Sequence, residues 1–206
     1  MANATFWDKV ANKYAASPVK DVPAYEDTLD RTRHYLKPSD RLLEIGCGTG
    51  TTALTLSASV QEVIATDISG QMLSIADSKR EERGITNVSF VESEVTKPLA
   101  VAPFDAICAF SILHLVDDLQ ETLTHMHSQI KPGGYVISKT PCLAGMNALV
   151  RPLIKVMQFF GKAPTVLFLN ARELETAFHR AGFETVETGH FGKNLKSHFI
   201  VARRPA

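Results

Sequence analysis

Short apolar runs and helical patterns alternate along most of the chain. Five apolar runs predict buried strands at residues 41–45, 62–67, 87–91, 104–110 and 135–138. The stretches between them carry apolar residues three and four positions apart, which is the spacing of helices with one buried face. Strands that alternate with helices form a mostly parallel sheet with helices on both faces. The sequence therefore predicts an α/β fold.

Several helices have recognisable N-terminal signals. Ser69 and Asp117 are placed as N-caps of the helices that follow the second and fourth strands, and Asn170-Ala171-Arg172-Glu173 has the spacing of a capping box. The helix after Asp117 would keep Ile130 on its inner face and stop at Lys131-Pro132-Gly133-Gly134.

Two further apolar runs close the chain. Residues 183–187 and 197–202 predict strands, and the glycine-containing region 189–194 between them predicts a hairpin turn. The count of strands is then seven, the last two forming a C-terminal antiparallel hairpin. The alternation has no linker or repeat, so residues 1–206 are interpreted as a single domain.

The N-terminal part lies outside this alternation. Phe6, Val10 and Tyr14 are four residues apart and form one apolar face of a helix over residues 5–16. A second helix is predicted at about 24–35. Because both precede the first strand, residues 1–38 are interpreted as a helical cap over the edge of the sheet.

The segment 141–169 also lies outside the alternation of strands and helices. Its apolar residues between 146 and 157 recur at helical spacing, and Gly161-Lys162-Ala163-Pro164 would end the helix. An insertion after the fifth strand lies on the substrate side in such a fold, which favours a lid with an apolar pocket. Two other interpretations stay open: peripheral contact of 146–162 with a membrane surface, and a helix packed for structure or dimerisation.

Composition narrows the possible partners. The chain has 206 residues with 22 basic and 22 acidic side chains, and this balance argues against a nucleic acid as the main partner. Its three cysteines fit neither a disulfide framework nor a zinc site, and His125 and His127 point to different faces of a helix, so no metal is expected. There is no long apolar span or signal peptide pattern, and we expect a cytoplasmic protein.

The candidate chemistry begins where the first strand ends. There three glycines occupy alternate positions, Gly46, Gly48 and Gly50, and a helical pattern follows them. Glycine allows φ > 0 and has no side chain to hold a ligand away from the backbone. Asp67 ends the second strand about 20 residues later, at the spacing of an acid that binds ribose hydroxyls. These features predict a nucleotide-like ligand.

The motifs resemble those of class I S-adenosylmethionine-dependent methyltransferases. The turn reads G-x-G-x-G after an acid, whereas a dehydrogenase would show G-x-G-x-x-G. The resemblance rests on Glu44–Gly50, on Thr66-Asp67-Ile68-Ser69 with Met72, and on Ile130–Gly134, and it covers roughly residues 5–140. It implies a Rossmann-like seven-stranded sheet and the cofactor S-adenosylmethionine, with S-adenosylhomocysteine as product. The motifs are most similar to those of the branch that modifies quinones and other small molecules.

The resemblance also implies roles for individual residues. The backbone of the glycine turn would pass the methionine part of the cofactor, Asp67 would accept hydrogen bonds from the ribose, and Tyr14 would close over the methionine end. The implied cofactor-binding set is Tyr14, Glu44, Gly46, Cys47, Gly48, Gly50, Asp67, Ile68, Met72, Glu94, Val95, Phe110 and Ser111. Family members usually have Gly-Asp where this chain has Ser93-Glu94, so the contact with the adenine edge differs here.

The implied reaction is in-line transfer of a methyl group to a small, apolar or aromatic molecule. Alignment of the reactants and exclusion of water can supply most of the acceleration, and His114 is the candidate general base if one is needed. The alternatives are a catalytically silent protein that binds S-adenosylmethionine, and a nicotinamide-dependent dehydrogenase. Phe110-Ser111-Ile112-Leu113 replaces the Asn/Asp-Pro-Pro-Tyr of enzymes that methylate adenine or glutamine amino groups, which argues against those substrates.

Overall fold

A seven-stranded sheet forms the centre of the molecule. The computed structural model describes residues 2–145, 152, 158, 163–191 and 197–206. The strands are β1 (Arg41–Ile45), β2 (Glu62–Asp67), β3 (Val88–Glu92), β4 (Phe104–Phe110), β5 (Ile130–Pro141), β6 (Glu184–Gly189) and β7 (Ser197–Arg203). The helices in the described part are α1 (Ala2–Ala15), α2 (Val22–Arg33), α3 (Thr51–Leu56), α4 (Gly70–Glu82), α5 (Leu119–Gln129) and α6 (Ala171–Arg180).

The order of the strands is β3-β2-β1-β4-β5-β7-β6. The pairs from β3 to β5 are parallel, and β7 runs antiparallel to both β5 and β6. The predicted seven-stranded, mostly parallel sheet with its C-terminal antiparallel pair is therefore confirmed. The order reverses between β1 and β4, and in open α/β sheets ligands bind outside the carboxyl ends of the strands at this point.

Both faces of the sheet are covered. One apolar cluster joins alternate residues of β4, β5 and β7 to α5 and α6, with Leu123, Leu174 and Phe178 fully buried in it. A second cluster on the other face joins β1 and β2 to α3 and includes Leu29 of α2. Alternate side chains of one strand point to opposite faces, so two such cores hold the sheet from both sides.

Two predicted details around α5 are wrong. The N-cap is Asp118 rather than Asp117, because the Asp118 Oδ1 accepts a hydrogen bond from the backbone N–H of Glu121 at 2.9 Å. Ile130 is extended and already belongs to β5, where it pairs with Phe104. The strand thus starts before the Pro-Gly-Gly sequence and passes through it as an irregularity. The predicted N-cap Ser69 and the Asn170 capping box are confirmed.

The N-terminal helices pack at two separate places. α1 packs on α4, and the Asp8 carboxylate accepts hydrogen bonds from the Ser69 hydroxyl at 2.6 Å and from the Gln71 N–H. α2 is held near β6 by an ion pair between Arg31 and Glu187. The single-domain interpretation and the cap boundary at residue 38 stay predictions.

Most of the insertion after β5 lies outside the described residues. Within 146–162 only Pro152 and Gln158 are described, and both are helical. The two ends of the segment come together, since Ala144 N donates to Leu169 O at 3.0 Å. A lid, a membrane contact or a packing helix over 141–169 therefore stays a prediction. In the described part of the chain, no helix is both long and apolar enough to cross a membrane.

Gly50 is required by packing between elements. Its φ is +72°, and a Cβ there would lie 2.6 Å from the Phe90 ring and 2.7 Å from the Ala76 Cβ. Replacing Gly50 by alanine is expected to lower the free energy of unfolding by about 2–4 kcal/mol, as strain and overpacking add. Gly84 is the matched control, because it has a similar φ of +63° and nothing within 4 Å. Equal losses in Gly50→Ala and Gly84→Ala, measured by urea unfolding, would contradict this explanation.

Candidate active site

A cavity of about 440 Å³ opens at the carboxyl edge of the sheet, beside the reversal between β1 and β4. It brings together most of the predicted cofactor residues. Those that line it are Tyr14, Gly46, Gly48, Asp67, Ile68, Met72, Glu94, Val95, Phe110 and Ser111. Glu44, Cys47 and Gly50 do not line it: Glu44 and Cys47 are buried behind the turn, and Gly50 faces Phe90 and Ala76. The binding role of each of these residues stays a prediction.

The glycine turn is held closely against its neighbours. Cys47 N donates to Thr66 O at 2.9 Å, which fixes the turn on β2. Gly46 has a φ of +63°, and a Cβ there would come within 2.9 Å of three side-chain carbons of Ile112. The loop after β4 can pack on the turn only because residue 46 has no side chain.

Asp67 connects the two turns that border the cavity. Its Oδ2 accepts a hydrogen bond from the backbone N–H of Gly48 at 2.8 Å, and its Oδ1 accepts one from the N–H of Ser69 at 3.0 Å. Burial raises the pKa of this carboxyl, while the backbone N–H donors act in the opposite direction. Each oxygen keeps a second lone pair that can accept from a ligand.

Glu44 lies behind the turn with an unpaired oxygen. The residue is 3% exposed, and its Oε2 has no hydrogen-bond partner among the described residues. Burial, and then the charge of Asp67, raises the pKa of Glu44 to about 8. A cation placed in the adjoining cavity would favour the charged forms of both carboxyl groups. The sulfonium and ammonium of S-adenosylmethionine are such cations, so the residues present fit this cofactor.

α1 supplies one wall of the cavity through Ala4, Trp7 and Tyr14. The rings of Trp7 and Tyr14 meet edge to face with centroids 6.4 Å apart. Withdrawal of the Tyr14 hydroxyl from water, together with the carboxylates of Asp67 and Glu44, raises its pKa, so the phenol stays neutral at ordinary pH.

The loop after β4 forms the opposite wall. Ser111 is in the left-handed region with φ 55°, and its N–H donates to Lys139 O at 2.8 Å. This unusual backbone conformation directs the next residue, Ile112, back onto Gly46. Strain of this kind concentrates at functional sites.

His114 follows in the same loop but does not line this cavity. Its backbone oxygen accepts a hydrogen bond from Leu167 N at 2.7 Å, and its Nδ1 is buried without a partner in the part of the chain that the structure describes. Burial lowers the pKa of His114 to about 4, so the imidazole is neutral at pH 7. Its role as a general base stays a prediction.

Some contributions to the site were missed by the sequence interpretation. The Lys79 ammonium of α4 donates to Thr49 O at 3.0 Å, to Thr49 Oγ1 at 2.9 Å and to Thr51 Oγ1 at 3.1 Å, and so supports the glycine turn from behind. Asp117 and Glu121 line the cavity near the start of α5. The position of this helix directly after β4 was the available signal for Asp117 and Glu121, whereas no local pattern indicates Lys79.

Comparison with known proteins identifies the family. Residues 19–188 match the family model described as a methyltransferase domain. The chain belongs to the class I S-adenosylmethionine-dependent methyltransferases. Among similar proteins, the demethylmenaquinone methyltransferase of Lactococcus lactis is 31% identical over 180 residues, which are 77% of this chain and 71% of the relative.

Solved methyltransferase structures share the fold. The putative methyltransferase in complex with the Haloferax volcanii Trm112 activator is 14% identical with a TM-score of 0.80, covering 97% of this chain and 98% of that one. The N-methyltransferase NodS of Bradyrhizobium japonicum, solved with S-adenosylhomocysteine, is 15% identical with a TM-score of 0.71, covering 97% and 99%. The match to the methyltransferase family makes the chain a methyltransferase of the kind that uses S-adenosylmethionine, and the dehydrogenase alternative loses its basis.

Proposed function

We propose that this methyltransferase transfers a methyl group to a small aromatic or apolar acceptor, and that a naphthoquinol of the demethylmenaquinone type is the first to test. The observation that carries the proposal is the cavity of about 440 Å³, which joins the glycine turn to the apolar side chains of Trp7, Ile112, Leu115 and Val116, with polar side chains at the start of α5 lining the rest. The name of the Lactococcus lactis relative supports this class of acceptor.

Different residues around the cavity would contact different parts of the cofactor. Asp67 would accept from the ribose hydroxyls, Ile68 and Met72 would pack on the adenine, and Glu94 would meet its polar edge. The backbone of Gly46 and Gly48 would lie alongside the methionine part of the cofactor. When bound, the cofactor supplies an electrophilic methyl group on its sulfonium.

The chain itself contributes alignment and exclusion of water. α1 covers the cavity with Trp7 and Tyr14, and the loop after β4 closes the other side with Ile112. Fixing two reactants in line can lower a barrier by roughly 7–11 kcal/mol. His114 is neutral at pH 7 but does not line the cavity, so it would take the acceptor's proton through an intervening water, where the acceptor is acidic enough to lose one.

The experiment is a turnover assay with S-adenosylmethionine and chemically reduced demethylmenaquinone. We expect S-adenosylhomocysteine and a product heavier by one methylene group, both detected by mass spectrometry. The control is the same mixture with fully methylated menaquinol, which should give no S-adenosylhomocysteine. Tight binding of S-adenosylmethionine with no product from naphthoquinols or from a pool of metabolites would instead support the catalytically silent alternative.

A further inference from the structure

A lysine on α4 contacts the glycine turn through three hydrogen bonds. The Lys79 ammonium donates to Thr49 O at 3.0 Å, to the Thr49 Oγ1 at 2.9 Å and to the Thr51 Oγ1 at 3.1 Å. An ammonium has three donors, and the head of this side chain is directed at residues 49–51. Lys79 does not line the cavity, so any effect that it has on a ligand there must act through the turn.

The bond to Thr49 O begins a chain of hydrogen bonds that ends at Asp67. Thr49 O and Gly50 N belong to one peptide unit, and the Gly50 N–H donates to Cys47 O at 3.0 Å. Cys47 O and Gly48 N belong to a second peptide unit, and the Gly48 N–H donates to the Asp67 Oδ2 at 2.8 Å. The orientation of both peptide units in the turn is therefore fixed from outside, one from α4 and the other from the end of β2.

Every donor in this chain points the same way, from the cation of Lys79 to the carboxylate of Asp67. In such a chain each hydrogen bond polarises the next one, so the bonds strengthen one another. Burial raises the pKa of Asp67, and the Gly48 N–H is one of the donors that act against this effect. A cation at the far end of the chain makes that N–H a stronger donor, and a stronger donor favours the ionised carboxylate.

The position of Lys79 is unfavourable for its own charge. The residue is half-buried, and its three acceptors are uncharged oxygens. Burial, and then the charge of Arg83, lowers the pKa of Lys79, which means that its surroundings disfavour the charged form. An unbranched apolar side chain such as methionine would fill this position without that cost. The contribution of the ammonium therefore lies in its hydrogen bonds to the turn.

We propose that Lys79 is a positioning residue for the cofactor, which orders the glycine turn and, through it, the carboxylate of Asp67. Gly48 and Asp67 are the last two members of the chain of hydrogen bonds, and both line the cavity. A turn that is ordered before binding loses less backbone freedom when the ligand enters. The inference rests on the proposed position of the cofactor beside Gly48 and Asp67, and it adds a residue outside the cavity to those that determine the affinity.

The test measures the binding of S-adenosylhomocysteine by calorimetry, which needs no methyl acceptor. We expect Lys79→Met to bind about tenfold more weakly than the parent protein, because ordering the backbone of about one residue then accompanies binding. Lys79→Arg keeps a cation with several donors and should recover the affinity to within about threefold of the parent value. Arg80→Met is the matched control. Arg80 is the next residue on α4 and pairs with Asp77, so this variant should bind within about twofold of the parent.

Two measurements on the protein without ligand follow the chain of hydrogen bonds itself. In Lys79→Met the backbone N–H of Gly50 should exchange with deuterated water faster than in the parent protein, because the turn opens more often. The pKa of Asp67, followed through the ¹³C shift of its carboxyl carbon, should be higher in Lys79→Met, because the Gly48 N–H is then a weaker donor. Arg80→Met should change neither quantity. A lysine that only held α4 in place would lower the free energy of unfolding and leave the pKa of Asp67 unchanged.

An affinity of Lys79→Met within twofold of the parent value would overturn the proposal, and so would an equal loss in Lys79→Met and Arg80→Met or an unchanged pKa of Asp67. If Lys79→Met does not fold, Thr51→Val removes a single acceptor of the ammonium and should weaken binding by about threefold. Failure of the parent protein to bind S-adenosylhomocysteine would contradict the position proposed for the cofactor. A parent protein that binds it, with a Lys79→Met variant that binds it equally well, would contradict the role of Lys79 alone.

Discussion

Replacing Asp67 by asparagine is expected to lower the affinity for S-adenosylmethionine by about 100-fold. Both carboxylate oxygens accept hydrogen bonds from backbone N–H groups, those of Gly48 and Ser69. An amide must turn its NH₂ towards one of these donors, so a hydrogen bond is replaced by two opposed donors. In the complex the ribose hydroxyls would also lose a charged acceptor, and a hydrogen bond to a charged group contributes about 1.5–3 kcal/mol, which corresponds to roughly this fold-change in affinity. Isothermal titration calorimetry measures the change directly.

The matched control is Asp77→Asn on α4. The Asp77 side chain is 46% exposed and pairs with Arg80, away from the cavity. The affinity of the Asp77→Asn variant for S-adenosylmethionine should therefore stay within twofold of the parent value. If Asp67→Asn bound S-adenosylmethionine as tightly as Asp77→Asn does, both the ribose assignment and the role of Asp67 in joining the two turns would be wrong.

The contribution of Glu44 to the stability of the protein is expected to fall as pH rises from about 4.5 to 8. Burial raises the pKa of Glu44 from its ordinary value of 4.5 to about 8. Over this range the folded state holds a proton on Glu44 that the unfolded state has lost, so rising pH favours unfolding. At 1.36 kcal/mol per pKa unit, the loss reaches about 5 kcal/mol.

Glu44→Gln isolates this contribution, because a glutamine resembles the protonated glutamic acid in size and hydrogen bonding. At pH 5 the variant and the parent should unfold at similar urea concentrations, whereas at pH 8.5 the variant should be more stable by about 5 kcal/mol. Glu82→Gln, an exposed change at the end of α4, should have the same free energy of unfolding as the parent at both pH 5 and pH 8.5. A Glu44→Gln profile parallel to that of the parent would show that Glu44 ionises normally.

The sequence predicted the parts of the site that depend on short motifs. Gly46, Gly48 and Asp67 occur at the ends of two apolar runs, and parallel strands bring such ends to one edge of the sheet. The family resemblance supplied the individual residues, and ten of the thirteen that it implied line one cavity. It could not distinguish Asp117 from Asp118 as an N-cap, since the two acids are adjacent and only the helix geometry selects one.

Other features depend on contacts between distant residues. Gly50 was expected to face the cofactor, but its neighbours Phe90 and Ala76 belong to β3 and α4. The bond between Glu175 and His198 depends on how α6 packs over β7, which no local periodicity encodes. A short sequence motif predicts the backbone conformation near a ligand. Contacts between side chains of distant residues depend instead on how the helices and strands pack together.

The bond between Asp8 and Ser69 has a kinetic consequence. Ser69 is the N-cap of α4 and donates its N–H to Asp67, while Asp8 holds α1 over the same end of α4. With Ala4, Trp7 and Tyr14 of α1 in the wall of the cavity, a bound molecule of that size contacts α1 directly. Weakening the hydrogen bond between Asp8 and Ser69 is therefore expected to shorten the residence time of the spent cofactor without changing the reacting groups.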